Sequence, residues 1–377
     1  MLKAFIATLL FATIVATPLV AQLPPKESRP KFMIDDDLII EDQISVKVLD
    51  VEDQSQSGTC WSFGVTSLFE SDMMASGKEA INLSDMWVVR NIYFDKVVKY
   101  VRLHGKGNLT VGGAMHDVLE GIKRYGIVPE AAYSGLNYGL SRHDFSEIDA
   151  VVKAYADAVI ATERPSAVWQ RGLNMLLDNY FGARIASFEW EGKSYTPKTY
   201  AQSLGLNMDD YVSITSFMHE PYNQFIPLDL PDNWLWGRAY NIPIDELMKL
   251  MDKILEGGRS FGMAVDITED GFSVPKGVAT LDLNDELKSE RWDYIQRRRQ
   301  TEFDNYTTTD DHCVHIVGRA KDQNGMVYYK AKNSWGVREP YDGFFYFSRP
   351  YAELKTILIL VDRNLLPSSI KKGMGMN

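Results

Sequence analysis

The 377-residue chain predicts an α+β fold of two lobes, one helical and one built on antiparallel strands, with a cleft between them. Three observations predict it. An apolar stretch at helical spacing follows a polar, glycine-bearing turn over residues 54–60. In the last third, alternating apolar residues are broken by Asp322-Gln323-Asn324-Gly325, a hairpin signal. The composition, 45% hydrophobic and 24% charged, is that of ordinary globular domains, and the length allows more than one lobe.

The elements follow in order. Lys3, an apolar run over 4–16 and Leu19-Val20-Ala21 read as a signal peptide over 1–21, which predicts an exported protein. The run is shorter than the ~20 residues that span a bilayer, so no membrane contact is expected after its removal. Residues 22–37, with prolines and charges, read as a flexible leader. The stretch before Cys60 is too short for a folded inhibitory pro-domain. Residues 39–49 read as an extended segment entering the core. The helical lobe runs over 60–133. It opens with a helix over 61–76 that places Val65, Leu68, Phe69 and Met73 at helical spacing and stops at Gly77. An inserted, mostly helical region and a turn-rich connector occupy 134–238. The strand-rich lobe spans 239–366. It contains a helix over 244–257, with Leu247, Leu250, Met251 and Ile254 on one face, and a buried strand over 260–267. Strands over 312–320 and 327–332 form its hairpin, and 367–377 is a C-terminal tail.

One cysteine, one histidine and one asparagine, in that order, are the parts of a thiol hydrolase. Cys60 falls on the first turn of its helix, where unpaired amides favour negative charge and lower a thiol pKa. Gly58 permits the turn before it. Gln54 is placed to offer an amide N–H to a developing oxyanion, beside the Cys60 backbone N–H. In the hairpin, Asn333 falls opposite Val314 or Ile316, both on the face of His312, because strand side chains alternate. Asn333 then accepts from the imidazole N–H and fixes its tautomer, and Trp335 shields that bond from water.

The same alternation sends Cys313 and His315 to the opposite face. This splits any ligand set in His312-Cys313-Val314-His315, and no CxxC or HExxH spacing supports a metal. It also predicts that the thiols of Cys60 and Cys313 diverge. His315 reads as a packed core histidine, and His104, His116, His143 and His219 have no partner pattern. Two cysteines cannot make a disulfide framework. The net charge of −11 has no basic stripe, which excludes nucleic acid as a partner.

The stretch 54–63, Asp311-His312 with Gly318, and Asn333-Ser334-Trp335-Gly336 resemble the papain-type cysteine peptidases, and within them the bleomycin hydrolase and aminopeptidase C branch. Supporting stretches include Gly112-Gly113, Phe188-Glu189-Trp190, Pro221-Tyr222-Asn223 and 241–247. The resemblance covers about 54–367 and implies a papain-like fold and peptide substrates. By resemblance Cys60 is the nucleophile, His312 the acid/base, Asn333 the orienter and Gln54 the oxyanion donor. Gly112, Gly113 and Trp335 would border the substrate, the glycines by leaving its backbone free to pair with enzyme backbone. No metal or organic cofactor is required. In the branch the chain's own C-terminus lies in the cleft and meets the substrate's amino group, which implies an aminopeptidase. The ten residues from Ser368, extended, reach about 33 Å at ~3.3 Å each. The branch's oligomer is built by a helical insertion. The segment between Gly139 and Ser187 is shorter here, which leaves a homo-oligomer open. The competing readings are a papain-like endopeptidase and a catalytically silent secreted peptide-binding homologue.

Overall fold

The computed structural model describes residues 37–137, 139–281, 283 and 291–376. The expected signal peptide, nearly all of the leader and the terminal Asn377 lie outside them.

A helical layer packs on one large mixed sheet. The chain enters through β1 (Ile40–Ser45), then folds α1 (Cys60–Ala75), α2 (Asp85–Arg102) and α3 (Met115–Tyr125). The inserted region is helical as expected, with α4 (Ser146–Ala161) and α5 (Val168–Phe181). A small hairpin of β2 (Phe188–Trp190) and β3 (Lys193–Tyr195) leads to α6 (Pro197–Ser203). Then come β4 (Tyr211–Thr215), β5 (Gln224–Pro227), β6 (Arg238–Asn241), α7 (Ile244–Glu256) and β7 (Phe261–Val265). After β8 (Phe272–Ser273), β9 (Val278–Ala279) and α8 (Arg291–Asp304), the hairpin of β10 (His312–Asp322) and β11 (Val327–Lys332) forms. The chain ends with β12 (Phe344–Ser348), α9 (Arg349–Lys355), β13 (Thr356–Asp362) and α10 (Ser368–Gly373).

The sheet runs β5-β6-β4-β13-β7-β10-β11-β12-β9-β8, with β1 added on β10. This moves the edge of the strand-rich lobe. β4 and β5 lie before residue 239, in the stretch expected to be connector, yet they belong to the same sheet. They are short and sit among turns, so alternation over four or five residues leaves little trace in sequence.

β10 holds the architecture together. Its first half pairs with β7 and its second half with β1, along one edge. Its other edge pairs with β11. α1 lies across β10 and is buried along most of its length, packed against α2 and α3 on its far side. Gly64 makes that approach possible: a Cβ there would lie 3.0 Å from Cys313 Sγ. The helix ends at Gly77, whose φ of +82° is the left-handed stop expected of it. α2 is capped by Ser84, whose Oγ accepts from the Trp87 N–H at 3.0 Å. One core joins the helices, and a second joins α7, α9 and the inner sheet face, including Leu247, Leu250, Met251 and Ile254.

The described part of the tail, to Met376, is not extended and does not line the cavity that holds Cys60. Residues 368–373 form α10, Ile370 is buried in the second core, and Gly373 lies against Tyr240 of β6. Among the described residues, no helix is long and apolar enough to cross a membrane.

Candidate active site

Cys60 opens α1, immediately after a turn that Gly58 makes at φ +65°. His312 opens β10, about 250 residues further along the chain. Both line one cavity between the helical layer and the sheet, together with Gly58, Gly112 and Gly113.

The hairpin delivers Asn333 as its register requires. His315 pairs with Lys332, so the next position outward sets Asn333 against Val314. Next to the turn Asp322 faces Met326, a register that would set Asn333 against His315; the bulge between Ile316 and Gly318 shifts it by one residue and brings Asn333 to the Val314 position. The His312 Nε2–H donates to Asn333 Oδ1 at 2.7 Å. This assigns the tautomer: Nε2 carries the proton and Nδ1 is left as the base. The Ser334 N–H also donates to Asn333 Oδ1, at 2.9 Å, and fixes the amide plane. Trp335 stacks on the imidazole, with centroids 4.7 Å apart and planes 29° apart. It therefore covers the His312–Asn333 bond and is absent from the residues that line the cavity.

Gln54 is buried and pinned. Its Oε1 accepts from Ser334 Oγ at 2.6 Å, and its N–H donates to the Ser334 carbonyl at 2.8 Å. An amide whose oxygen is already occupied presents its NH2 group, which is the donor an oxyanion needs. Ser334 was not singled out from sequence, although it lies inside the Asn333–Gly336 motif.

The glycine pair is required by packing. A Cβ on Gly113 would lie 2.9 Å from the Trp61 ring, and one on Gly112 would strike Asp232 Oδ2. Trp61 Nε1 donates to the Val111 carbonyl at 3.1 Å, which ties this ridge to the nucleophile's helix.

Two expectations need correction. Cys313 does leave the His312 face, yet its thiol does not diverge from Cys60. It lines the same cavity, and its backbone N–H reaches the Cys60 sulfur. Alternation sorts the faces of a strand, but here α1, packed across β10, carries Cys60 toward the second face. The thiol pKa is also not lowered by position alone. Burial pushes the Cys60 thiol up to about 12, against the lowering effect of the Cys313 and Trp61 N–H groups. Burial likewise pulls the His312 imidazole down to about 4, against the raising effects of Asn333 and Asp311. Moving the proton from sulfur to Nδ1 leaves the pair's net charge unchanged. The pair therefore holds one transferable proton across the whole interval between those values.

His315 is a core histidine as read: its Nδ1 lies 2.9 Å from Ser67 Oγ on α1, and burial, then Lys332, holds it well below the ordinary imidazole value.

Residues 188–377 match the Peptidase C1-like family, and residues 41–166 match the papain family cysteine protease. Aminopeptidase C of Lactococcus lactis subsp. cremoris is 22% identical over 355 residues, which cover 84% of this chain and 81% of that protein. Cysteine proteinase 1, mitochondrial, of Saccharomyces cerevisiae is 22% identical over 401 residues, which cover 91% of this chain and 80% of that protein. The crystal structure of PepW from Lactobacillus rhamnosis superposes with a TM-score of 0.69 at 20% identity, covering 88% of this chain and 84% of that one. It shares the fold. The expectation of an exported protein does not stand beside these relatives, of which the yeast protein is named as mitochondrial.

Proposed function

The chain belongs to the Peptidase C1-like family and is a cysteine-type peptidase, and we propose that it is an aminopeptidase in which Cys60 attacks the scissile carbonyl. His312 Nδ1 takes the thiol proton, passes it to the leaving amine, and then activates the water that hydrolyses the thioester. Asn333 holds the imidazole in that tautomer. Gln54 and the Cys60 backbone N–H receive the oxyanion. Gly112 and Gly113 border the substrate backbone. The 2.7 Å bond to Asn333 from His312, which lines the cavity with Cys60, is the observation that carries this assignment. Amino-terminal action is supported by relatives named aminopeptidase C that align over most of the chain.

A second reading, endopeptidase action, is favoured by one observation: α10 packs beside Tyr240, and none of the described tail residues lines the cavity. One experiment separates them. Free and N-acetylated peptides of one sequence are digested, and the products are read by mass. An aminopeptidase releases residues from the free peptide alone. Equal internal cleavage of both peptides selects the endopeptidase.

A further inference from the structure

We propose that Asp232 and Asp310 anchor the amino-terminal ammonium of the substrate, a role that rests on the aminopeptidase reading above. Both line the cavity that holds Cys60, Asp232 from the segment before β6 and Asp310 from the approach to His312.

Asp232 is held in a built position. Its Oδ1 accepts from Asn108 Nδ2 and, at 3.3 Å, from Thr110 Oγ1, while Lys96 Nζ stands 3.6 Å away. Its Oδ2 is directed over the Gly112 backbone, into space that any Cβ at that position would fill. A carboxylate with one oxygen fixed and the other aimed into a cleft is an acceptor awaiting a donor. Asp310 lines the same cavity, where burial, then the charges of Asp232 and Asp311, raises its carboxyl to about 7. Asp311 is engaged elsewhere, with Thr309 Oγ1 on one oxygen and the Ile267 N–H on the other. Lys96 is buried, donates to the Gly112 carbonyl and stands beside Asp232. An entering ammonium would give Asp232 Oδ2 a donor and Asp310 a counter-charge.

The nucleophile is the independent sign of a ligand, since Cys60 acts only on a peptide admitted to this cavity. Both carboxyl groups are close enough to raise its thiol. The anchor therefore stands at the end being cut, where the tail helix contributes nothing.

The test uses free and N-acetylated versions of one peptide with full-length wild type, Asp232→Asn, Asp310→Asn and Asp232→Glu. Iodoacetamide titration of Cys60 counts the folded sites in each preparation. Wild type is expected to prefer the free amine by at least about tenfold in kcat/KM. Each Asn variant is expected to lose about tenfold of that preference, expressed in KM rather than kcat, and Asp232→Glu to recover part of it. Preference intact in both Asn variants overturns the anchor and leaves the aminopeptidase reading standing. No preference in wild type overturns the reading and the anchor together. A third peptide, N-acetylated and carrying lysine one residue before the cleaved bond, covers the remaining case. If the Asn variants lose turnover of that peptide alone, the carboxylates read a basic side chain and the anchor falls.

Discussion

Ser334 Oγ and Gln54 Oε1 are 2.6 Å apart, and this bond joins the segment that precedes the nucleophile to the segment that follows the hairpin. It crosses between the two ends of the site and orients the proposed oxyanion donor. Ser334→Ala should lower kcat by about tenfold with little change in KM, because the loss falls on the transition state. Gln54→Ala should cost roughly 10²–10³ in kcat. The double variant should be no worse than Gln54→Ala alone. Additive losses in kcat would show that Ser334 acts on something other than Gln54.

Cys60→Ser should abolish peptide hydrolysis and leave the melting temperature near that of wild type, since sulfur and oxygen differ little in size. His312→Ala should lose more activity than Asn333→Ala, because Asn333 orients the ring and transfers no proton. Turnover by pure Cys60→Ser protein, or the reverse order of the other two, would contradict the assignment.

The pH profile of kcat/KM follows from burial. His312 is held at about 4 and Cys60 at about 12. Below the first value the imidazole is protonated and cannot accept the thiol proton. Activity is therefore lost as pH falls through about 4, and the plateau extends through neutrality. A rate that climbs only through the ordinary thiol range near 8.5 would mean that the thiol ionises alone, without His312.

Glu70 sets a stability trend. It is buried on α1, its Oε1 accepts from the Leu83 N–H at 2.9 Å, and burial raises it from 4.5 to about 8. The folded state keeps this proton while the unfolded state releases it. The stability it contributes is complete below 4.5 and is lost as pH rises to about 8. Glu70→Gln should therefore gain in melting temperature relative to wild type between pH 5 and pH 8, by roughly 2–4 °C for each kcal/mol recovered. A variant that melts lower at pH 8 would show that Glu70 is ionised against Lys332.

The placement of Cys60, His312 and Asn333 was legible in the sequence because each lies in a short pattern whose geometry is largely local. Cys60 is tied to its helix start, and Asn333 to His312 through one hairpin. The first needs only a turn; the second also needs the bulge between Ile316 and Gly318, which alternation alone does not announce. The approach of Cys313 to Cys60 was not legible, since it depends on α1 packing across β10 with Gly64 at the contact. Asp232 was invisible for the same reason. Its position over Gly112 is set by Asn108, Thr110 and Lys96, more than a hundred residues earlier. Burial of the catalytic pair, which decides its proton inventory, also comes from tertiary packing. The tail's helix was hidden because six residues carry too little periodicity to oppose an extended reading.

The docking of α1 on β10 bears on how the protein is made. The face of α1 that carries Cys60, Gly64 and Ser67 has its partner about 250 residues downstream. At ribosomal speeds of ~5–20 residues per second, that partner emerges roughly 12–50 s later. Until then the nucleophile has no base, and its helix has one uncovered side. Synthesis order thus delays the birth of proteolytic activity until nearly the whole chain has left the ribosome. It also makes the nascent helical lobe a client for chaperones that shelter apolar surface.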